Sequence, residues 1–190
     1  CMRSMSLAAV FAVCVPFAAL SHTVDLSVSD DAFRLAYEGD VAPAAGGTLR
    51  ADVGALHNSD EGDLIHLGLK VRGDAGGNTV GVEGALGATL YGASLDSPNK
   101  DVSALAFTGE LYVTPQELNR ARLALTASYA PEVLTFGDGK SLLDTAARLE
   151  YEVLNETRVY VGYRLSRVKL DQAGDQDLEQ GAQIGLNVTF

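Results

Sequence analysis

The chain ends in the stretch Ala182-Gln183-Ile184-Gly185-Leu186-Asn187-Val188-Thr189-Phe190, in which an apolar side chain alternates with a polar side chain or glycine at every step. Alternation with a period of two is the pattern of a β-strand that lies between an apolar medium and a polar one. The apolar face of this stretch carries no charge. The last nine residues therefore predict a strand whose two faces meet different surroundings.

The same pattern recurs along the chain, separated each time by residues that favour turns. Counting back from the end gives ten segments: 24–28, 33–38, 48–53, 65–72, 80–90, 105–113, 122–129, 148–153, 158–166 and 182–190. A soluble sandwich also alternates, but only a membrane barrel needs an apolar face free of charge across the hydrocarbon, and no charge interrupts these faces. We predict an all-β, antiparallel up-and-down transmembrane β-barrel of about ten strands. Eight strands is the alternative, because 24–28 is shorter than the 9–11 residues that a tilted strand needs.

The beginning of the chain predicts export. Arg3 precedes an apolar run from Leu7 to Leu20, and small residues follow in Ala19-Leu20-Ser21, which is the pattern of a cleaved signal peptide over 1–21. The barrel domain would then occupy 22–190, integral to the bacterial outer membrane. A terminal aromatic residue on an alternating strand is typical of the signal read by the outer-membrane assembly machinery, and Phe190 is the residue that we predict for it.

Charge and cysteine content exclude several functions. Both cysteines lie in the predicted signal peptide, so the exported chain has neither disulfides nor thiolate metal sites. The full chain has a formal net charge of −11, and Arg3 is the one charged residue of the predicted leader, so the exported chain would carry −12. An acidic chain repels phosphate backbones, which argues against nucleic acid as a partner.

The connections between segments can be assigned to the two sides of the membrane. The end of such a barrel lies in the periplasm, so counting back predicts periplasmic turns at 40–46, 73–78, 114–118 and 155–156. The outer loops are then predicted at 58–62, 92–100, 131–141 and 171–177. None of these loops is long, so the usual asymmetry between short inner turns and long outer loops is modest.

Several stretches resemble one family. Ala55-Leu56-His57-Asn58-Ser59-Asp60-Glu61-Gly62-Asp63, followed by His66-Leu67-Gly68-Leu69, is similar to the YfaZ family of bacterial outer-membrane proteins. So are Asp25-Leu26-Ser27-Val28-Ser29-Asp30-Asp31, Tyr129-Ala130-Pro131-Glu132-Val133 and Tyr160-Val161-Gly162-Tyr163-Arg164. The resemblance covers essentially the whole exported chain. It implies an outer-membrane location and a barrel fold, and it brings no substrate, cofactor or catalytic residue.

The inward faces of the predicted strands carry charges of both signs in equal number. The basic side chains are Arg34, Arg50, Lys70, Arg72, Arg122, Arg148, Arg158 and Arg164, and the acidic ones are Asp25, Glu38, Asp52, Glu83, Glu110, Asp144, Glu150 and Glu152. Charges removed from water must be paired, and an eight-stranded lumen is just wide enough for side chains to fill. The balance predicts a plugged lumen and a non-catalytic structural or surface-interaction role.

A narrow porin-like passive channel for small solutes is the alternative, favoured if ten strands close and if small inward residues line up as an open column. These residues are Gly54, Gly68, Gly81, Gly87, Ala85, Ala106 and Ala124. They could equally make room for large arginine side chains.

The outer loops suggest two further roles. The acidic stretches 58–63 and 171–177 could bind divalent cations, since oxygen-rich loops suit calcium, although neither matches the EF-hand pattern and a solvated acidic turn is the simpler interpretation. His57, Ser59 and Glu61 alternate at an outer edge and could serve a lipid hydrolase at the rim. Residues two apart on a strand are about 6.6–6.8 Å apart, too far for direct hydrogen bonds, so we predict no catalytic, metal or cofactor site. The predicted partners are the lipid bilayer, lipopolysaccharide and the assembly machinery.

Overall fold

The chain forms a closed barrel. A computed structural model describes residues 21–76, 80–95, 100–170 and 174–190, so the predicted signal peptide lies outside the described residues apart from Ser21. The described strands form one antiparallel sheet: β1 His22–Val28, β2 Ala32–Ala44, β3 Gly47–Asn58, β4 Gly62–Asp74, β5 Val80–Leu95, β6 Lys100–Pro115, β7 Ala121–Ala130, β8 Thr135–Gly137, β9 Gly139–Leu154, β10 Thr157–Leu170 and β11 Gly174–Thr189.

Ten of these strands make the wall, and the eleventh is an addition. β1 pairs with β2 on one side and with β11 on the other, which closes the cylinder. Each other wall strand pairs with the next in the chain, and β7 pairs directly with β9. The three-residue β8 pairs with β6 after a 3₁₀ turn over Glu132–Leu134. The prediction of a ten-stranded barrel is confirmed, and the alternative of eight strands is wrong.

The faces of the strands are oriented as the alternation predicts. Large apolar side chains point outward and are exposed, among them Leu67 at 57%, Leu86 at 76% and Phe107 at 66%. The residues that alternate with such side chains along the strands point inward and are buried, as at Lys70 of β4 and Arg164 of β10. An exposed apolar wall around a polar interior is stable only where hydrocarbon surrounds it. No helix in the described part of the chain is long and apolar enough to cross a membrane.

Most strands extend beyond the segments predicted from the sequence. β2 continues through 40–44, β5 ends at Leu95 rather than before residue 92, and β11 begins at Gly174 inside the predicted loop 171–177, whose residues 171–173 lie outside the described residues. The predicted loop 131–141 contains the 3₁₀ turn, β8 and the first residues of β9. A strand of 16 residues, tilted by 45°, rises about 37 Å, whereas the apolar band of such a barrel is about 25 Å tall. The longest strands therefore extend beyond the membrane.

The seam between the two ends of the chain is the shortest pairing of the wall. β1 contributes seven residues, and only Ile184–Thr189 of β11 pair with it. Backbone hydrogen bonds of 2.9 and 2.8 Å between His22 and Phe190 extend this ladder by one pair. We call the end with His22 and Phe190 the periplasmic end, following the usual orientation of such barrels, and the opposite end the outer end.

Above the seam, the free edge of β11 is held by side chains. The Asn58 amide, from the end of β3, donates a 2.9 Å hydrogen bond to the carbonyl oxygen of Leu178, and the Gln176 amide donates to the Glu61 carboxylate. At this height β11 also carries a bulge opposite Ser166 and Arg167 of β10. The outer half of β11 is therefore fixed to the β3–β4 turn without a backbone ladder.

Candidate functional site

The lumen contains one dense group of ion pairs, centred on Lys70 of β4. The Lys70 ammonium lies 2.5 Å from Glu38, 2.5 Å from Glu110 and 3.2 Å from Asp52. These carboxylates come from β2, β6 and β3, so one cation ties four strands together. Its side chain is only 8% exposed, and a charge removed from water to this degree is stable only with such partners.

Two arginines extend this group toward the periplasmic end. Arg50 contacts Glu38 at 2.6 Å and Asp40 at 2.7 Å, and Arg72 contacts Glu110 at 3.0 Å and Glu38 at 3.3 Å. Glu38 thus shares its two oxygens among three cations. Asp40 was expected in a turn, and it reaches the network because β2 continues past it.

The opposite wall carries a second group. Asp25 of β1 receives Arg34 at 2.8 Å, Arg148 at 3.0 Å and the Tyr160 hydroxyl at 3.0 Å. The fully buried Glu150 lies 2.5 Å from Arg122 and 3.7 Å from Arg148. The three cations therefore surround two carboxylates in the interior of β1, β2, β7 and β9.

Tyr112 joins the two groups across the lumen. Its ring lies between the guanidinium groups of Arg72 and Arg122, each 4.5 Å from the ring centre. Its hydroxyl accepts a 2.7 Å hydrogen bond from Arg72 and donates one of 2.9 Å to Glu110. Cation–π contact with both walls makes the ion pairs one continuous structure, which we call the lower network. It contains Asp25, Arg34, Glu38, Asp40, Arg50, Asp52, Lys70, Arg72, Glu110, Tyr112, Arg122, Arg148, Glu150 and Tyr160.

Inward glycines make room for this network. The imidazole of His66 occupies the space where Gly54 would carry a side chain, and the Asp52 carboxylate does the same at Gly68. The ring of Tyr160 covers Gly185, and the Arg148 side chain lies against Gly162. At these four glycines the space of the missing side chain is therefore occupied by neighbouring side chains.

A smaller polar group lies above the lower network. Arg164 of β10 donates a 2.6 Å hydrogen bond to Asp144 of β9 and lies 3.4 Å from Glu179 of β11. The Tyr91 hydroxyl donates to Asp144 at 3.1 Å. We call Asp144, Arg164 and Glu179 the upper cluster. Beside it, the hydroxyls of Thr89, Thr108 and Ser128 form a chain of hydrogen bonds at 2.7 and 2.9 Å.

The outer end of the lumen is packed with buried apolar side chains. Fourteen buried residues form a single cluster, which we call the apolar seal: Ala32, Leu56, Leu64, Tyr91, Ala93, Leu95, Val102, Ala104, Ala106, Ala130, Leu142, Val168, Leu170 and Leu178. They come from every wall strand except β1. Leu95, Leu142, Val168 and Leu178 have no exposed surface, so the centre of this layer is tightly packed.

The space left in the lumen is small. The cavity beneath the seal measures about 100 Å³ and is lined by side chains of both groups, including Asp52, Lys70, Glu110, Asp144 and Arg164. A water molecule needs at least 10–15 Å³ of such space, so the cavity holds a few waters and no sugar-sized solute.

Twelve of the thirteen side chains predicted for the lumen network form ion pairs, and nine of the twelve belong to one network. Arg34, Arg50, Asp52, Lys70, Arg72, Glu110, Arg122, Arg148 and Glu150 belong to the lower network, and Arg164 to the upper cluster. Arg158 and Glu152 form a separate pair at 2.7 Å near the periplasmic rim. Glu83 is exposed and takes no part in the ion pairs of the described residues.

Sequence reasoning missed the apolar seal and Glu179. The alternation contains both features. On β11, the inward face that carries Asn187 and Gln183 continues to Glu179, two residues beyond Gly181. On β10, Val168 and Leu170 continue the inward face. The pattern of apolar outward and polar inward residues does not predict them, because the apolar residues move to the inward face there.

The other predicted sites are not assembled. His57 binds Asp63 at 2.6 Å, the Ser59 hydroxyl donates to the Asp31 carbonyl at 3.4 Å, and Glu61 accepts from Gln176, so the three rim residues each have a different partner. Arg167 pairs with Asp177 at 2.5 Å in the described part of the stretch 171–177. Among the described residues no group of three or more His, Cys, Asp or Glu side chains is arranged to hold a metal ion.

A closed antiparallel cylinder with an apolar outer wall and a polar, ion-paired interior is an outer-membrane β-barrel. The family model described as YfaZ precursor matches residues 2–190, and the chain belongs to the YfaZ family. The predicted resemblance and the predicted outer-membrane location are confirmed.

Two solved structures are similar to the chain at low identity. The NanC porin shares 12% identity over 90% of this chain and 99% of its own, with a TM-score of 0.43. OmpT, an outer membrane protein of Vibrio cholerae, shares 15% identity over 88% of this chain, with a TM-score of 0.26, and the chain spans 64% of its length. No curated protein matches the sequence. At these identities and TM-scores, the two structures give no argument about the function of this chain.

Proposed function

We propose that this barrel is a closed, non-catalytic component of the outer membrane with a structural or surface-interaction role. The observation that carries the proposal is the apolar seal, which fills the outer end of the lumen with side chains from nine of the ten wall strands. An ion that crossed this layer would leave water entirely, at a cost of several kcal/mol or more. The lower network supports the same conclusion, because its arginines and carboxylates occupy the interior in mutual contact.

The partners follow from the same surfaces and remain part of the proposal. The apolar wall meets the bilayer, and the outer rim meets lipopolysaccharide. The assembly machinery binds the strand that ends at Phe190. Divalent cations bind the acidic outer turns. The absence of catalysis is supported by the rim residues His57, Ser59 and Glu61, which are each engaged elsewhere.

Conductance in planar bilayers tests the closed lumen. Purified wild-type barrel is expected to give no steady single-channel steps. A variant in which Leu56, Leu142 and Leu178 are all changed to alanine removes much of the seal and is expected to conduct, provided that its unheated gel mobility shows a folded barrel. Each of these leucines is at most 2% exposed. This variant shows that the assay detects an opened lumen.

A narrow passive channel is the competing function, and the same conductance measurement in planar bilayers distinguishes it from a closed lumen. Steady steps from the wild type that change in Glu110→Gln or Arg164→Gln would overturn the closed lumen. Glu152→Gln is the matched control, because this carboxylate pairs with Arg158 near the rim and lies outside the lower network.

A further inference from the structure

The charges inside the barrel balance everywhere except in the upper cluster. The lower network holds six cations and six carboxylates in mutual contact. The pair of Arg158 and Glu152 is neutral as well. The upper cluster has two carboxylates, Asp144 and Glu179, and the single cation Arg164. One negative charge is therefore in excess at a place where the side chains are at most 7% exposed.

Ser166 lies between the two carboxylates. In the register of the sheet it is the direct neighbour of Asp144 on β9 and of Glu179 on β11, and its side chain points into the lumen. The residue has no exposed surface, and its hydroxyl makes no hydrogen bond with any described residue. A buried hydroxyl without a partner costs about 1–3 kcal/mol, so its retention here needs a reason.

The carboxylates beside Ser166 have unused oxygens. Oδ1 of Asp144 and Oε2 of Glu179 are buried and accept no hydrogen bond from the described residues, and Oε2 has only a long ion-pair contact of 3.4 Å with Nε of Arg164. Arg164 hydrogen-bonds through the other Asp144 oxygen, Oδ2. One hydroxyl and two carboxylate oxygens on three adjacent strands are thus left without a hydrogen bond from the described residues, with one surplus negative charge between them.

We propose that Asp144, Ser166 and Glu179 form a binding site for a small monovalent cation, sodium in the first instance, beneath the apolar seal. Oxygen ligands of this kind suit hard cations, and one positive charge balances the excess, whereas a divalent ion would leave the group positive. The lumen cavity of about 100 Å³ reaches this region at Asp144 and Arg164, so a small ion can approach the site from the lumen and a large ligand cannot. The proposal goes beyond the closed-barrel role and does not depend on conduction.

Heat stability in two salts tests the site. The folded barrel, extracted in a mild detergent, is heated in sodium chloride and in N-methyl-D-glucamine chloride at equal ionic strength. The midpoint is the temperature at which half of the unheated gel band is lost. A ligand that binds only the folded state raises the midpoint, and at ten times its dissociation constant the rise is about 3 °C or more for a barrel of this size. The organic cation is too large for the cavity and gives the reference.

Three variants locate the response. Glu179→Gln removes the surplus charge with little change of shape, so its midpoint is expected to be the same in both salts. Ser166→Ala keeps the charge and loses a ligand, so it is expected to need a roughly tenfold higher sodium concentration for the same rise. Glu152→Gln neutralises a carboxylate of the rim pair and is expected to respond to sodium as the wild type does.

Three results would overturn the proposal. Equal wild-type midpoints in the two salts would mean that the group binds only water. Midpoints that fall together in both salts as the pH rises would mean that a proton supplies the charge. A sodium response that persists in Glu179→Gln would place the ion elsewhere.

Discussion

The part of the barrel within the membrane and the part at its outer end are built on opposite patterns. On β10, Val159, Val161 and Tyr163 point outward in the lower part, and Arg164 points inward. Beyond Ser166 the inward residues are Val168 and Leu170, while Lys169 is exposed. The strand keeps its period of two throughout, and only the identity of the apolar face changes.

The change of face follows from the surroundings of the wall. Hydrocarbon surrounds the lower part, so apolar side chains are favourable outside and the charges must be paired inside. Water or headgroups surround the outer end, where the usual preference of soluble proteins for an apolar interior applies. The apolar seal is therefore built like the core of a small water-exposed barrel, which the long strands add beyond the membrane barrel.

Breaking the interior of the membrane part is expected to have the largest effect. Glu150→Ala removes the fully buried carboxylate between Arg122 and Arg148 and leaves both cations short of a partner. The free energy of unfolding, measured by denaturant titration in lipid vesicles, is expected to fall by about 3–5 kcal/mol. Glu152→Ala, on the same strand, breaks a pair whose side chains are more than a quarter exposed and is expected to cost about 1 kcal/mol or less. Equal losses in the two variants would contradict a tightly coupled interior.

The outward faces of the two parts should respond differently to the same substitution. Leu67→Arg places a charge in the hydrocarbon and is expected to cost about 2–4 kcal/mol in the same titration. His57→Arg places the same side chain on the outward face at the outer end, where the His57 side chain is 70% exposed, and is expected to cost at most about 0.5 kcal/mol. Similar costs at the two positions would show that the membrane boundary has been placed wrongly.

Replacing two glycines of β11 by alanine is expected to have the smallest effects on stability. A methyl group at Gly185 would overlap the Tyr160 ring, so Gly185→Ala is expected to cost about 1–3 kcal/mol. At Gly181, nearer the outer end, it would meet no described atom within 4 Å, so Gly181→Ala is expected to be neutral or to stabilise by up to about 1 kcal/mol. The midpoint of heat-induced loss of the unheated gel band ranks the two variants. A larger loss at Gly181 would contradict the packing of Tyr160.

The sequence alone predicts the features that depend on local alternation. Leu67 and Leu69 belong to one face and Lys70 to the other by position alone, and the structure places them accordingly. The count of ten strands follows in the same way, as does the orientation of Arg164. These features need no knowledge of which strand lies beside which.

The partners of each charge could not be predicted, because they depend on the register of several strands. Lys70 meets Glu110 across 40 positions only when β4, β5 and β6 align in one particular way. The bulge on β11 adds a second difficulty, since it turns both Leu178 and Glu179 toward the interior and breaks the alternation there. The strands extend beyond the predicted segments for a related reason: toward the outer end the apolar residues lie on the inner face, so the outward apolar alternation stops before the strand does.

The short seam between β1 and β11 has a consequence for how the barrel folds. Every other pair of wall strands joins neighbours in the chain, or nearly so, and can form as a local hairpin. β1 and β11 must instead meet across 166 positions. They also carry charged side chains that pair with residues on other strands of the wall. Asp25 of β1 is a partner of Arg148 and Tyr160, so those side chains lack this carboxylate until the cylinder closes. We therefore expect seam closure to be a late step of folding, since it completes the wall and brings Asp25 to its partners in the interior.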